Sequence, residues 1–233
     1  MIFVVDNKLP AEAKTKLRSF GEVAGLATSG ITYEAVSGHP DLFLCPKPAG
    51  LVAAPNLPAD IRKKLVSSGA KIVQGSKETG KQYPETALYN ALATPDYLIH
   101  NTKVTDTSVV QACKGLKPLH VNQAYTRCNL IRLGNVFITS DAGIKKSLLN
   151  YGLECHFLSP ADVRLEGFPH GFLGGACGIW NNQLLLCGSL RYYSGGDKLS
   201  RLVARAGFEL VELYDGPLID GGGILVAGTE IGK

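Results

Sequence analysis

Two stretches of this chain read closely against each other: residues 8–21 (KLPAEAKTKLRSFG) and 56–69 (NLPADIRKKLVSSG). Each carries Pro where a helix begins, an acid in the first turn, and Gly where a helix must stop. A short apolar run precedes each (3–5 and 51–54) and another follows (23–26 and 71–74). A chain written this way reads as strand, helix, strand, and a unit that recurs constrains the whole fold. The same grammar appears three more times. Residues 97–100 lead to a helix over 106–114, then Gly115 and 118–121. Residues 136–139 lead to a helix over 144–151, then Gly152 and 155–158. Residues 184–187 lead to a helix over 198–206, then Gly207 and 210–213. Gly21, Gly69, Gly115, Gly152 and Gly207 thus read as five equivalent helix ends, in steps of 48, 46, 37 and 55 residues.

A further strand is expected before four of these units, at 42–45, 87–92, 129–133 and 176–180. The turns between carry 46–50 (PKPAG), 94–96 (TPD), Gly134-Asn135 and Asn181-Asn182, all hairpin chemistry. The first unit lacks its leading strand, and 223–227 (GILVA) is a leading strand without a unit. Joining the chain ends repairs both and gives a step of 47 residues. The reading is an α/β chain of five ββαβ modules, a propeller-like ring closed by pairing the N- and C-terminal strands. The modules span approximately 219–233 plus 1–27, 40–75, 86–121, 127–159 and 174–214, within one domain over 1–233. A ring also leaves few open sheet edges. An ordinary α/β sandwich with incidentally spaced helix caps is the alternative that periodicity alone leaves open.

Composition narrows the function. Hydrophobic residues at 45% and charged ones at 19% describe a soluble globular chain. No apolar run approaches the roughly 20 residues needed to cross a bilayer, and the N-terminus is too short and polar for a signal peptide. The expectation is a cytoplasmic protein without membrane contact. The net charge of +4 argues against a dedicated nucleic-acid binder. Six scattered cysteines with no C-x-x-C pair point to no metal and no cofactor. Residues 75–82 (GSKETGKQ) nearly spell a phosphate-binding loop, but Gln82 stands where Ser or Thr would hold magnesium, and Pro84 interrupts the helix start.

Five ββαβ modules resemble the pentein fold of guanidino-group-modifying enzymes: arginine and agmatine deiminases, dimethylarginine hydrolases and amidinotransferases. A non-enzymatic branch is the ribosome anti-association factor. The stretches 121–129 (VNQAYTRCN), 167–176 (GFPHGFLGGA) and 215–220 (DGPLID) resemble an uncharacterised bacterial family assigned to that fold. The resemblance implies a Cys nucleophile, a His and paired carboxylates around a guanidinium. Carried over, the nucleophile falls at Leu225 or Val226, and neither can be one. The glutamate opening the third module falls on Thr126, and an aspartate of the first hairpin falls near Pro46. Only the His has a counterpart, His170, so standard deiminase chemistry is not expected.

Several residues remain as candidates, each with a plainer role beside it. Cys128, next to Arg127, is a candidate nucleophile with a lowered pKa, or a half-buried strand cysteine. Cys177, after two glycines, is the second. His170 is their candidate partner, or a turn histidine. Asp220 precedes three glycines and either faces a ligand or closes an Asx turn. Arg127 is a candidate for holding an anionic group, and Asn122 and Asn129 for orienting a polar ligand. Three functions follow: an axial polar pocket for a small amino-acid-like or guanidino ligand without the usual cysteine; a non-catalytic scaffold for a macromolecular partner; or a hydrolase using Cys128 or Cys177 with His170. Oligomeric state is not legible here.

Overall fold

The fold is known from a computed structural model, which describes residues 1–228. The stretch 229–233, assigned above to the first module, lies outside the described residues. The chain opens with β1 (Ile2–Asp6), α1 (Ala11–Arg18) and β2 (Glu22–Leu26). It continues with β3 (Leu44–Lys47), β4 (Gly50–Ala53), α2 (Ala59–Ser67) and β5 (Ile72–Gln74). Next come β6 (Leu92–Ala93), β7 (Tyr97–His100), α3 (Thr107–Ala112) and β8 (Lys117–His120). A one-turn helix α4 (Thr126–Asn129) precedes β9 (Leu130–Leu133), β10 (Val136–Thr139), α5 (Ala142–Asn150) and β11 (Cys155–Phe157). The last group is β12 (Cys177–Trp180), β13 (Gln183–Leu186), α6 (Gly196–Arg205), β14 (Glu209–Glu212) and β15 (Leu225–Ala227).

The strands form five three-stranded sheets. In each, a leading strand runs antiparallel to a middle strand, and the middle strand pairs in parallel with the strand that follows its helix. The first sheet takes its leading strand from the other end of the chain: β15 pairs with β1 through Ile2↔Ala227, Phe3↔Val226 and Val4↔Leu225. The middle strands bury nearly every side chain, as strands covered on both faces must.

The helices start and stop for different reasons. Pro10 and Pro58 stand at the N-cap, one place earlier than the first-turn position expected, with no side-chain cap. Asp106 and Asp141 cap α3 and α5 by accepting from Ser108 N at 2.8 Å and Ile144 N at 2.7 Å. Gly69, Gly152 and Gly207 adopt φ of +82°, +76° and +76° after their helices. Gly21 and Gly115 do not share this left-handed conformation, so the five helix ends are not equivalent. Gly21 serves close packing instead: a Cβ there would stand 3.0 Å from Met1 Cε and 3.3 Å from Phe3 Cε2. The expected leading strand over 87–92 is mostly a turn, with a 3₁₀ helix at Glu85–Ala87 and β6 confined to Leu92–Ala93.

Apolar clusters join each sheet to its sequence neighbours. One spans the first three sheets (Val4, Leu44, Val52, Leu98), another the third and fourth (Ile99, Leu130, Phe137), and a third the fourth and fifth (Ile138, Leu184, Leu199). A further cluster joins the fifth sheet to the first, with Phe3 and Val5 against Leu185, Cys187 and Ile224. Among the described residues no helix is long and apolar enough to cross a membrane.

Candidate functional site

The segments that lead into the leading strands meet at one place, and polar side chains ride on them. A 3₁₀ turn at Pro40–Leu42 before β3 holds Asp41, with His39 as its N-cap. Asn90 precedes β6, Arg127 and Cys128 sit on α4, and Asp220-Gly-Gly-Gly enters β15. The turn Gly174–Ala176 before β12 contributes backbone only. Asp6, at the end of β1, completes the group.

Hydrogen bonds tie these lead-ins together. The Cys128 thiol donates to Asp41 Oδ2 at 2.8 Å, and Asn90 Nδ2 donates to the same sulfur at 3.0 Å. Cys128 N donates to Asn90 Oδ1 at 3.2 Å, and Arg127 N to Asn90 O at 3.0 Å. The Arg127 guanidinium lies 3.7 Å from Asp41 Oδ2 and donates to Gly222 O at 3.2 Å and Ile224 O at 3.4 Å. Asp220 accepts from Phe172 N at 2.8 Å and Gly222 N at 3.0 Å. His39 stands between two carboxylates: Nε2 is 3.9 Å from Asp6 Oδ2, and Nδ1 is 3.9 Å from Asp220 Oδ1. Two buried atoms of this cluster have no hydrogen-bond partner among the described residues, His39 Nε2 and Asp41 Oδ1.

Three carboxylates are therefore buried around one guanidinium, one imidazole and one thiol. Burial pushes the Asp6 carboxyl up, although the Lys8 amide and the His39 charge oppose it. Burial also pushes Asp41 up, against the pull of Arg127 and then His39. Cys128 is held well above the ordinary thiol range, by burial first and then by the negative charge of Asp41 and Asp220. The arginine beside Cys128 in sequence thus serves Asp41 and does not release a thiolate.

Above Asp6 and Asp220 opens a cleft of about 660 Å³, walled by Lys8, Arg164, Glu166, Phe168 and Tyr192 among others. Tyr33 meets Phe168 with ring centroids 5.8 Å apart, so the loops that carry them touch beside this mouth.

The candidates named from sequence fall in several places. Cys128, Arg127 and Asp220 belong to the cluster just described. Asn129 is engaged structurally, donating to Tyr125 O at 2.9 Å and accepting from Ser140 Oγ at 2.9 Å. Asn122 bonds His120 through its Oδ1 at 3.2 Å and lines a separate cleft with Tyr83, Gln123 and Asp141. Cys177 opens β12, buried in an apolar cluster, and burial pushes its thiol up. His170 is exposed, with Nδ1 2.9 Å from Gly171 O and its ring beside Phe172. No hydrogen bond or ion pair joins His170 to either cysteine among the described residues. Asp6, His39, Asp41 and Asn90 were not singled out from sequence. For His39, Asp41 and Asn90 the signal that could have found them is a polar residue a few places ahead of a leading strand, whereas Asp6 ends the middle strand β1.

A family model described as "Family of unknown function (DUF6873)" matches residues 4–225. No curated protein matches the sequence. Several solved structures match the fold. The DDAH of Pseudomonas aeruginosa, complexed with citrulline, superposes at a TM-score of 0.54, with 10% identity over 86% of this chain and 79% of that one. A dimethylarginine dimethylaminohydrolase gives 0.54 at 9% identity, over 91% of each chain. The agmatine deiminase of C. jejuni gives 0.52 at 11% identity, over 86% of this chain and 73% of that one. At such identities the likeness establishes the pentein fold and nothing about activity.

Proposed function

This chain belongs to the DUF6873 family, and with the pentein fold as its frame we propose that it binds a small guanidino or amino-acid-like cation on Asp6 and Asp220. The observation that carries this reading is the pair of carboxylates on the cleft floor. Both flank His39 at 3.9 Å, and neither forms an ion pair with Lys or Arg among the described residues. A planar cation seated on the cleft floor, where both carboxylates line the cavity beside His39, would meet two acceptors and offset the cost of burying their charge.

In this reading the five sheets are the blades of one ring about a pseudo-fivefold axis. The β15–β1 pairing and the cluster shared by the fifth and first sheets support closure. The protein binds without the covalent chemistry that the resemblance implies. Leu225 and Val226, where the resemblance puts a nucleophile, pair with β1 as ordinary strand residues. A hydrolase built on Cys128 or Cys177 with His170 has less support, because burial keeps both thiols protonated and His170 bonds its own neighbour.

The test is thermal unfolding and calorimetric titration with L-arginine, agmatine and L-lysine, on wild type and on Asp220→Asn. A ligand that binds only the folded state raises the melting temperature by mass action. The expected result is a rise with at least one of these cations that Asp220→Asn abolishes. No rise with any of them ends the proposal.

A further inference from the structure

The whole-chain charge of +4 conceals an uneven distribution. Residues 44–120, which build the second and third sheets, hold ten Lys and Arg against five Asp and Glu. The rest of the chain holds 14 against 15. The surplus also has a direction. In the second to fifth sheets the last strand starts at the end where the leading and middle strands turn, because it runs parallel to the middle strand. In the first sheet β2 starts beside the paired ends of β1 and β15. One or two residues past the glycine that follows the helix, the first, fourth and fifth sheets place Glu22, Glu154 and Glu209. At the same position the second and third sheets place Lys71 and Lys117.

Other lysines join them at that end. Lys64 lies in the last turn of α2, Lys114 follows α3, and Lys47 closes the β3–β4 hairpin opposite Gly50. Lys64, Lys71, Lys114 and Lys117 are exposed, and none has a side-chain hydrogen bond or ion pair among the described residues. Among the described residues the Lys47 amine hydrogen-bonds only Ala49 O, at 3.0 Å. Asp96, in the β6–β7 turn, is the one carboxylate these two sheets place there. The fourth and fifth sheets differ in kind, since their Glu154 is paired with Arg205 and His156. The second and third sheets are adjacent through β3 and β6 and share one apolar cluster, so the five lysines lie at the same end of two neighbouring sheets. A groove of about 310 Å³, lined by Lys47, Lys71 and Gly228, opens on it.

We infer that this lysine edge, at the end of the sheets away from Asp6 and Asp220, docks the phosphodiester backbone of a nucleic acid. Unpaired like charges held together on a folded surface repel one another and are relieved by a polyanion. The side chains decide which polyanion. Arginine suits bidentate recognition of carboxylates, whereas these are lysines, compact point charges that meet phosphates without a fixed fork. Contacts of this type position a strand and read no sequence.

The test is fluorescence anisotropy at low and moderate salt with a short labelled single-stranded RNA, the same sequence as DNA, and a labelled polyglutamate peptide. The proteins are wild type, the double variant Lys71→Glu with Lys117→Glu, and a control that reverses Lys145 and Lys146 on α5. Cooperative melting of each shows that it folds. The expected result is binding of both nucleic acids that weakens with salt, is lost about tenfold or more in the edge variant, and shows a salt slope smaller by about two. The control should stay within about twofold of wild type. Absence of binding by wild type, an equal loss in the control, or tighter binding of polyglutamate than of RNA each overturns the inference.

Discussion

The sulfur of Cys128 and Oδ2 of Asp41 are joined by a hydrogen bond of 2.8 Å in which the thiol donates. The carboxylate is fully buried, and its other oxygen has no partner. The influence runs in opposite directions: the charge of Asp41 raises the thiol, whereas the thiol's hydrogen bond favours the charged form of Asp41, whose own rise comes from burial. The first prediction is therefore inertness. At neutral pH Cys128 should label more slowly than the same thiol in the unfolded chain. Labelling of the native protein at Cys128 at or above that rate would contradict it.

Removing the donor should cost more than removing the sulfur. Cys128→Ser keeps a hydroxyl for Asp41 and should lose little stability. Cys128→Ala leaves the Asp41 carboxylate with Arg127 at 3.7 Å as its only cationic neighbour within ion-pair distance among the described residues, and should cost about 1–3 kcal/mol. Urea unfolding of the two variants measures the difference. If both variants lose the same amount, the hydrogen bond contributes nothing.

Asp6 predicts a direction of pH dependence. Its folded pKa lies above the unfolded value of 3.8, so the native state binds a proton where the unfolded chain does not. Its burial penalty is fully present above the folded pKa and is relieved as pH falls towards the ordinary carboxylate range. Relative to wild type, Asp6→Asn should therefore be most stabilising at neutral pH, and its advantage should shrink on acidification. A bound cation reverses the preference by favouring charged Asp6, so affinity should fall with pH. Melting temperatures and titrations across the mildly acidic range check both signs.

His100 pulls the other way. Its ring is buried, with Nδ1 2.8 Å from Thr105 Oγ1 and Nε2 2.6 Å from Ala124 O. Burial lowers its pKa from 6.5 to about 4. A histidine held neutral costs nothing above its unfolded pKa and removes stability as pH falls from 6.5 towards 4. The full loss is about 3 kcal/mol. His100→Gln should be less stable at neutral pH and should show a flatter acid limb than wild type. An unchanged acid limb would assign the acid sensitivity elsewhere.

These groups show where sequence reading reached and where it stopped. Strands and helices announce themselves by Pro, Gly and apolar runs, and the pairing of 223–227 with 3–5 followed from counting modules. The polar cluster did not announce itself, because its members lie in turns with no periodicity. His39 follows Gly38 and precedes Pro40, which reads as a turn, and Asp41 reads as its cap. Only the meeting of separate lead-ins makes Asp41, Asn90 and Cys128 neighbours across 87 residues of chain. His170 drew attention as the counterpart of the histidine that the resemblance implies, yet folding turns it outward.

The glycines after Asp220 show the same division between what a sequence announces and what it hides. Gly222 and Gly223 have φ of +68° and +79°, and a Cβ on them would collide with His39 and with the Arg127 guanidinium. They are small because the cluster is close, not only because the chain turns. Gly134 has φ of +59° with open space around it, so Gly134→Ala should cost only the backbone term, about 1–2 kcal/mol. Gly223→Ala adds the displacement of Arg127 and should cost about 3 kcal/mol or more. It should also weaken cation binding in the cleft, because Gly223 N donates to Gly175 O at 2.7 Å and so helps set where Asp220 stands. Denaturant unfolding and ligand titration of both variants test this. Equal losses of stability with unchanged binding would show that the glycine run serves the turn alone.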